Sequence, residues 1–304
     1  MIEVEHLTKR YGTMAAVRDL SFTDRPGSVT GFLGPNGAGK TTTLRMLLGL
    51  VEPTAGTATV SGHSFRHHPR GLRHAGALLD AHDVHDGRSA RAHLHALARS
   101  NRITKQRVDE VLDEVGLTDA AARRRVGTFS LGMKQRLGIA GALLGDSPVL
   151  MFDEPLNGLD PEGVLWVRGL FRRLAHEGRT VFVSSHLMSE MESTADELIV
   201  IGRGELIAAE SLAEFAARGT APTVTVRSPD AAALAVVLAA EGAAVTPYER
   251  NGLKVDGLSA VRVGELAHEH RFPLWELSTR AASLETAFME LTADSVEYAA
   301  GESR

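Results

Sequence analysis

One segment constrains this chain more than any other: Gly34-Pro35-Asn36-Gly37-Ala38-Gly39-Lys40-Thr41. Its pattern, G-x-x-x-x-G-K-[ST], is that of a phosphate-binding loop. The glycines let the backbone curl so that successive N–H groups face one concavity, and a following helix N-terminus adds its positive end. Val29–Leu33 reads as a short apolar strand entering the loop. Thr41–Leu50 is apolar at helical spacing and stops near Gly49 and Pro53. Strand, glycine loop and helix open an α/β unit. The ligand class they name is a nucleoside triphosphate, with Lys40 within reach of the outer phosphates and the Thr41 hydroxyl available to Mg²⁺.

The chain has 304 residues, 43% of them hydrophobic and 23% charged, enough for two domains. A net charge of −5 argues against a general nucleic-acid binder. The absence of cysteine excludes a disulfide framework and thiolate chemistry, and fits a reducing, cytoplasmic setting. The first residues alternate like a strand and carry no apolar signal core. No uninterrupted apolar stretch approaches the ~20 residues of a membrane span. A chain soluble by itself is expected, with any membrane role supplied by a partner.

Ile2–His6 and Val17–Phe22 read as strands around a turn at Tyr11-Gly12. Residues from about 76 to 144 read as mostly helical, with periodicity over Ser89–Ala98 and Lys105–Val115 and a stop at Gly116. Val149–Phe152, Thr180–Ser184 and Leu198–Gly202 are short apolar strands between helices, the pattern of a parallel sheet. The texture changes after Ala221-Pro222. There Thr223–Val226, Leu253–Val255 and Leu274–Leu277 read as strands, Ala231–Ala240 as a helix, Ser283–Leu291 as an amphipathic helix and Ala299–Arg304 as a frayed end.

Asp153-Glu154 follows four apolar residues. A buried strand ending in carboxylates puts charge at the sheet edge where α/β folds bind ligands. There Asp153 can enter a Mg²⁺ shell and Glu154 can polarise water. Acids opening a helix after a strand would look the same, and on these residues alone both readings stand. Eight of the thirteen histidines fall between His63 and His95, and this stretch reads as a polar surface loop. Arg123–Arg125 reads as a solvated face.

Ser130-Leu131-Gly132-Met133-Lys134-Gln135-Arg136 decides between the readings. Ser130 is a good helix cap, and Gly132 permits close approach of a phosphate. The segment resembles the Leu-Ser-Gly-Gly-Gln signature of ATP-binding-cassette ATPases, with Phe129, Leu131 and Met133 at the first, third and fifth positions. It lies just before the Asp153-Glu154 strand, where that family places it. The resemblance covers about residues 1–215. It implies a P-loop NTPase fold: an α/β protein with a RecA-like parallel core, an antiparallel β subdomain and a helical subdomain at about 76–144. This ATPase domain would span 1–220, followed by a small α+β accessory domain at 221–304.

The same resemblance implies roles. ATP would be held by Gly34, Pro35, Asn36, Gly37, Ala38, Gly39, Lys40, Thr41 and Thr42, with Tyr11 stacked on adenine and Val17 beside it. Lys40, Glu154 and His186 would be catalytic, His186 as the switch histidine. Thr41 and Asp153 would hold Mg²⁺. Asp80 stands where the family normally has a metal- and water-bound glutamine. Exporters of the drug and bacteriocin type often carry an acid there, so Asp80 would sense Mg²⁺. Ser130, Leu131, Gly132 and Met133 would face the ATP of a second copy, and Asn157–Asp160 would form the D-loop that touches it.

The implied function is the ATP-hydrolysing subunit of a transporter, resembling the exporter group for drug and bacitracin resistance. It would act at the cytoplasmic face of the membrane as a head-to-tail dimer on a separate permease, without nucleic acid. The alternative is a soluble cassette ATPase acting on ribosomes or nucleic acid. That alternative usually brings two cassettes, a long coiled coil or a basic linker, and none of these is in the sequence.

Overall fold

The structure is a computed structural model that describes residues 1–218, 223–280 and 284–292. Ala221, Pro222, Ser283 and Ala299–Arg304 lie outside the described residues. The elements run β1 (Ile2–Tyr11), β2 (Met14–Asp24), β3 (Val29–Leu33), α1 (Lys40–Leu47), β4 (Ala55–Val60) and β5 (Ala75–Leu78). Then come α2 (Ala90–Ser100), α3 (Lys105–Glu114), α4 (Asp119–Ala122) and α5 (Leu131–Leu143). β6 (Val149–Asp153), α6 (Pro161–His176), β7 (Thr180–Ser185), α7 (Met188–Glu192), β8 (Glu197–Gly202), β9 (Glu205–Ser211) and α8 (Leu212–Arg218) follow. The described chain closes with β10 (Thr223–Arg227), α9 (Ala231–Ala240), β11 (Ala244–Tyr248), β12 (Gly252–Asp256), α10 (Ala260–Glu269), β13 (Glu276–Arg280) and α11 (Leu284–Thr292). It divides into two compact units, one built on Met1–Leu212 and one on Ala213–Glu290.

In the first unit a six-stranded sheet has the order β5-β6-β7-β3-β8-β9, parallel except for β9. β3, β6 and β7 are buried throughout. They therefore read as unbroken apolar runs rather than alternating ones. A three-stranded antiparallel sheet, β2-β1-β4, shares their core. Phe22 and Phe182 stack at 5.8 Å, and Phe32 lies 5.1 Å from Phe182. The helices start where short polar side chains accept from the first turn: Ser89 caps α2, Thr104 α3, Ser130 α5 and Asp160 α6.

The second unit runs β10-α9-β11-β12-α10-β13, with its antiparallel sheet ordered β11-β12-β10-β13. This is the split β-α-β arrangement. Val224, Val226, Leu253 and Val255 face Leu234, Leu238, Val263 and Leu266 in a core of its own.

The helical region is shorter than its sequence reading. Ala75–Leu78 is the edge strand of the parallel sheet, with Ala75 paired to Val149 and Leu78 to Phe152, and the first helix after it begins at Ala90. Alanine and glycine carry little strand preference, and pairing along β6 overrides it. The turn after β1 is Gly12-Thr13, with Tyr11 still in the strand.

Candidate active site

Register brings the chemistry to one edge. Leu33 pairs with Ser185, and Asp153 with Ser184. The loop after β3, the acids ending β6 and the histidine after β7 therefore emerge side by side at the C-terminal edge of the sheet. Gly39 caps α1 at φ 103° with no side chain. A Cβ there would stand 2.5 Å from the Ala16 carbonyl oxygen, so only glycine lets the loop lie on β2. The first N–H groups of a helix lack partners within it, so a loop that leads into a helix N-terminus is the standard setting for an anion.

Lys40 Nζ donates to Gly34 O at 2.6 Å and Pro35 O at 3.3 Å, and stands 3.7 Å from Glu154 Oε1. Burial pulls its pKa below the usual lysine value, and the Glu154 and Asp153 carboxylates pull it back up. Thr41 Oγ1 donates to Asp153 Oδ2 at 2.6 Å. Ser184 Oγ donates to the other oxygen, Asp153 Oδ1. Glu154 has φ 49°, a left-handed backbone that non-glycine residues rarely take. Its N–H donates to Ser184 Oγ at 3.0 Å. Its carboxylate accepts from His186 Nδ1 at 2.9 Å and Asn157 Nδ2 at 3.4 Å. Lys40, Glu154 and His186 thus form one polar chain.

A cleft of about 370 Å³ opens here, lined by Tyr11, Met14, Ala16, Asn36, Gly37, Ala38, Gly39, Lys40, Thr41, Thr42 and Glu154. Tyr11 is 48% exposed, with the Lys9 ammonium 5.0 Å from its ring centre. Val17 is fully buried in the core against Gly39, and Ala16 lines the cleft. Neighbouring strand residues face opposite ways. Met14 and Ser184 are further site residues that the sequence reading did not name.

Ser130–Met133 are not among the lining residues. Ser130 accepts from Met133 N–H at 3.3 Å, and Asp160 from Gly163 N–H at 2.8 Å, each capping its helix. Leu131 seats on Gly158: a Cβ there would stand 2.1 Å from Leu131 Cδ2. Gln135 Nε2 donates to Asn157 O at 3.2 Å. The signature segment and the D-loop are therefore packed as one piece. Asp80 borders a different, largely apolar cleft of about 300 Å³, with Leu50, Leu79, Val84 and His93. It accepts from the His82 N–H at 2.7 Å and His82 Nδ1 at 3.1 Å, and the backbone bond first of all holds its carboxyl below the usual range. The rings of His68 and His74 stack at 4.0 Å. Among the described residues no three or more His, Asp or Glu side chains gather as a metal cluster, and no helix is long and apolar enough to cross a membrane.

The profile of the family described as "ABC transporter" matches residues 17–157. The uncharacterized ABC transporter ATP-binding protein YhcH of Bacillus subtilis is 43% identical over 210 residues, 68% of each chain. This chain belongs to the ATP-binding-cassette family. The bacitracin transport ATP-binding protein BcrA of Bacillus licheniformis is 44% identical over 210 residues, 68% of each chain. The lantibiotic transport ATP-binding protein SrtF of Streptococcus pyogenes is 35% identical, over 68% of this chain and 89% of its own. The solved dimeric ABC transporter cassette MJ0796 superposes with a TM-score of 0.64 at 21% identity, over 70% of this chain and 99% of that one. Residues 222–285 match a domain of unknown function. The cassette protein is thus a nucleotide-binding ATPase coupled to transport, with the P-loop NTPase fold expected of it.

Proposed function

We propose that this cassette ATPase works as a head-to-tail pair that closes on ATP, hydrolyses it with Glu154 as the base, and drives a separate permease exporting a drug, antibiotic or peptide. The observation that carries the reading is the Lys40–Glu154–His186 chain beside Thr41 and Asp153 in one cleft. Lys40 would meet the outer phosphates, Tyr11 the adenine, and His186 would hold the Glu154 carboxylate toward an attacking water. The hydroxyl of Thr41 and the carboxylate of Asp153 converge as hard oxygen donors, which suits Mg²⁺. Bound there, the ion would neutralise phosphate charge.

Two features support partners. The cleft lacks the capped, exposed start of α5, so Ser130 and Gly132 are available to a second copy. The apolar cleft at Asp80, where Leu50 is 64% exposed, supports docking of a membrane-spanning chain that would hold this one at the cytoplasmic face. The bacitracin and lantibiotic transport relatives support an antibiotic peptide as cargo.

Glu154→Gln tests the reading. ATP affinity should stay near wild type, turnover should fall by about 10²-fold or more, and an ATP-dependent dimer should accumulate in light scattering. Wild-type turnover would remove Glu154 from the base role.

A further inference from the structure

We infer that Ser184 is a positioning residue for the hydrolytic site, clamping the cation-holding acid and the basic acid with one hydroxyl. The inference rests on the roles of Asp153 and Glu154 proposed above. Ser184 is fully buried in β7, paired with Asp153 in β6. Its hydroxyl donates to Asp153 Oδ1 and accepts from the Glu154 N–H at 3.0 Å.

Each bond has a consequence. Occupying Oδ1 turns Asp153 so that Oδ2 faces Thr41, where it accepts at 2.6 Å. Accepting the Glu154 N–H pins the residue whose left-handed backbone, φ 49°, swings its carboxylate toward Lys40 and His186. A buried N–H with no acceptor, in a strained turn, would relax. The next residue secures the neighbouring turn: Ser185 Oγ donates to Glu190 Oε2 at 2.6 Å and accepts from the Leu187 N–H at 3.0 Å. One serine thus aligns the acids while the next steadies the segment carrying His186. An apolar residue at 184 would fill the same strand position and do neither.

The test compares Ser184→Ala with Ser184→Thr, which keeps a hydroxyl, in the full-length protein. Four quantities are measured: kcat, affinity for a non-hydrolysable ATP analogue in EDTA, Mn²⁺ binding by electron paramagnetic resonance with that analogue bound, and Tm. For Ser184→Ala, kcat should fall ~10–100-fold and Mn²⁺ should bind several-fold more weakly, the loss of a charge-assisted bond. Metal-free nucleotide affinity should hold, and Ser184→Thr should recover both quantities.

Wild-type kcat and Mn²⁺ binding in Ser184→Ala would overturn the inference. So would a Ser184→Thr no better than alanine, or a parallel loss of Tm and metal-free nucleotide affinity, which marks a purely structural role. Glu154→Gln is measured alongside. If it is inactive while Ser184→Ala is wild type, only this inference fails. If it turns over normally, the Glu154 reading itself fails.

Discussion

Asp24 is a residue whose charge this fold disfavours. It is 2% exposed, Oδ1 accepts from Thr30 Oγ1 at 2.7 Å, and Oδ2 has no hydrogen-bond partner. Burial raises its pKa from 3.8 to about 7, against the Thr30 bond and the N-terminal ammonium, with Glu197 adding to the rise. The sign follows from proton counts. Below pH 3.8 both folded and unfolded chains keep the proton, and the group is neutral to stability. Between 3.8 and about 7 only the unfolded chain ionises, so stability falls as pH rises, and above that the penalty is constant. Asp24→Asn should remove this fall, gaining up to about 4 kcal/mol above neutrality and nothing in acid. Urea unfolding from pH 5 to 8 measures it, and parallel curves for the two proteins would refute the buried-charge account. The sequence reading ends this strand at Phe22, so the inward alternation of Leu20 and Phe22 is not carried on to Asp24. Ser184 escaped notice for a related reason. Its partner Asp153 lies 31 residues away and becomes a neighbour only through strand register. The available signal was a pair of hydroxyls ending an apolar strand, since buried hydroxyls must find partners.

At the scale of elements, much of the site was legible. The phosphate loop, the acids at the end of β6 and the histidine after β7 all close apolar runs, and a parallel sheet aligns such ends. What escaped depended on pairing: β5, mostly alanine and glycine, is made a strand by β6, and Ala16 reaches the cleft through the facing of β2. The packing of α5 on the D-loop also depends on contacts, and it makes sense of a departure from the family signature. Leu131 replaces a glycine, and its side chain occupies the space that a Cβ on Gly158 would fill. Gly158 also has φ 74°. Gly158→Ala should therefore cost ~1–2 kcal/mol for the left-handed backbone and more for unseating Leu131. Adding Leu131→Ala should recover the second part only. In chemical denaturation, the double variant should lose about 0.5 kcal/mol or more less than the two single losses combined. Strict additivity would show that the pair does not interact.

For the whole molecule, the question is where the signature acts. Ser130 caps α5 at an exposed position and is absent from the cleft that holds Lys40. A head-to-tail pair would complete each cleft with the other copy's Ser130, whereas a site closed within one chain would need α5 to move onto its own phosphate loop. Gln135 Nε2 on Asn157 O and Leu131 on Gly158 oppose that motion by fastening α5 to the D-loop. Two inactive variants separate the cases. Ser130→Arg places a bulky cation at the signature and spares its own loop. Lys40→Ala disables the loop and spares its signature. Each alone should lack turnover. Mixed in equal amounts, a head-to-tail pair regains one intact site per mixed dimer, up to roughly a quarter of the wild-type rate with random pairing and independent sites. Closure within a chain leaves no intact site in any pairing, so a mixture as inactive as its components would refute the shared site. Nucleotide binding to Ser130→Arg at wild-type affinity completes the argument, because it shows that the damage lies in what one copy presents to the other.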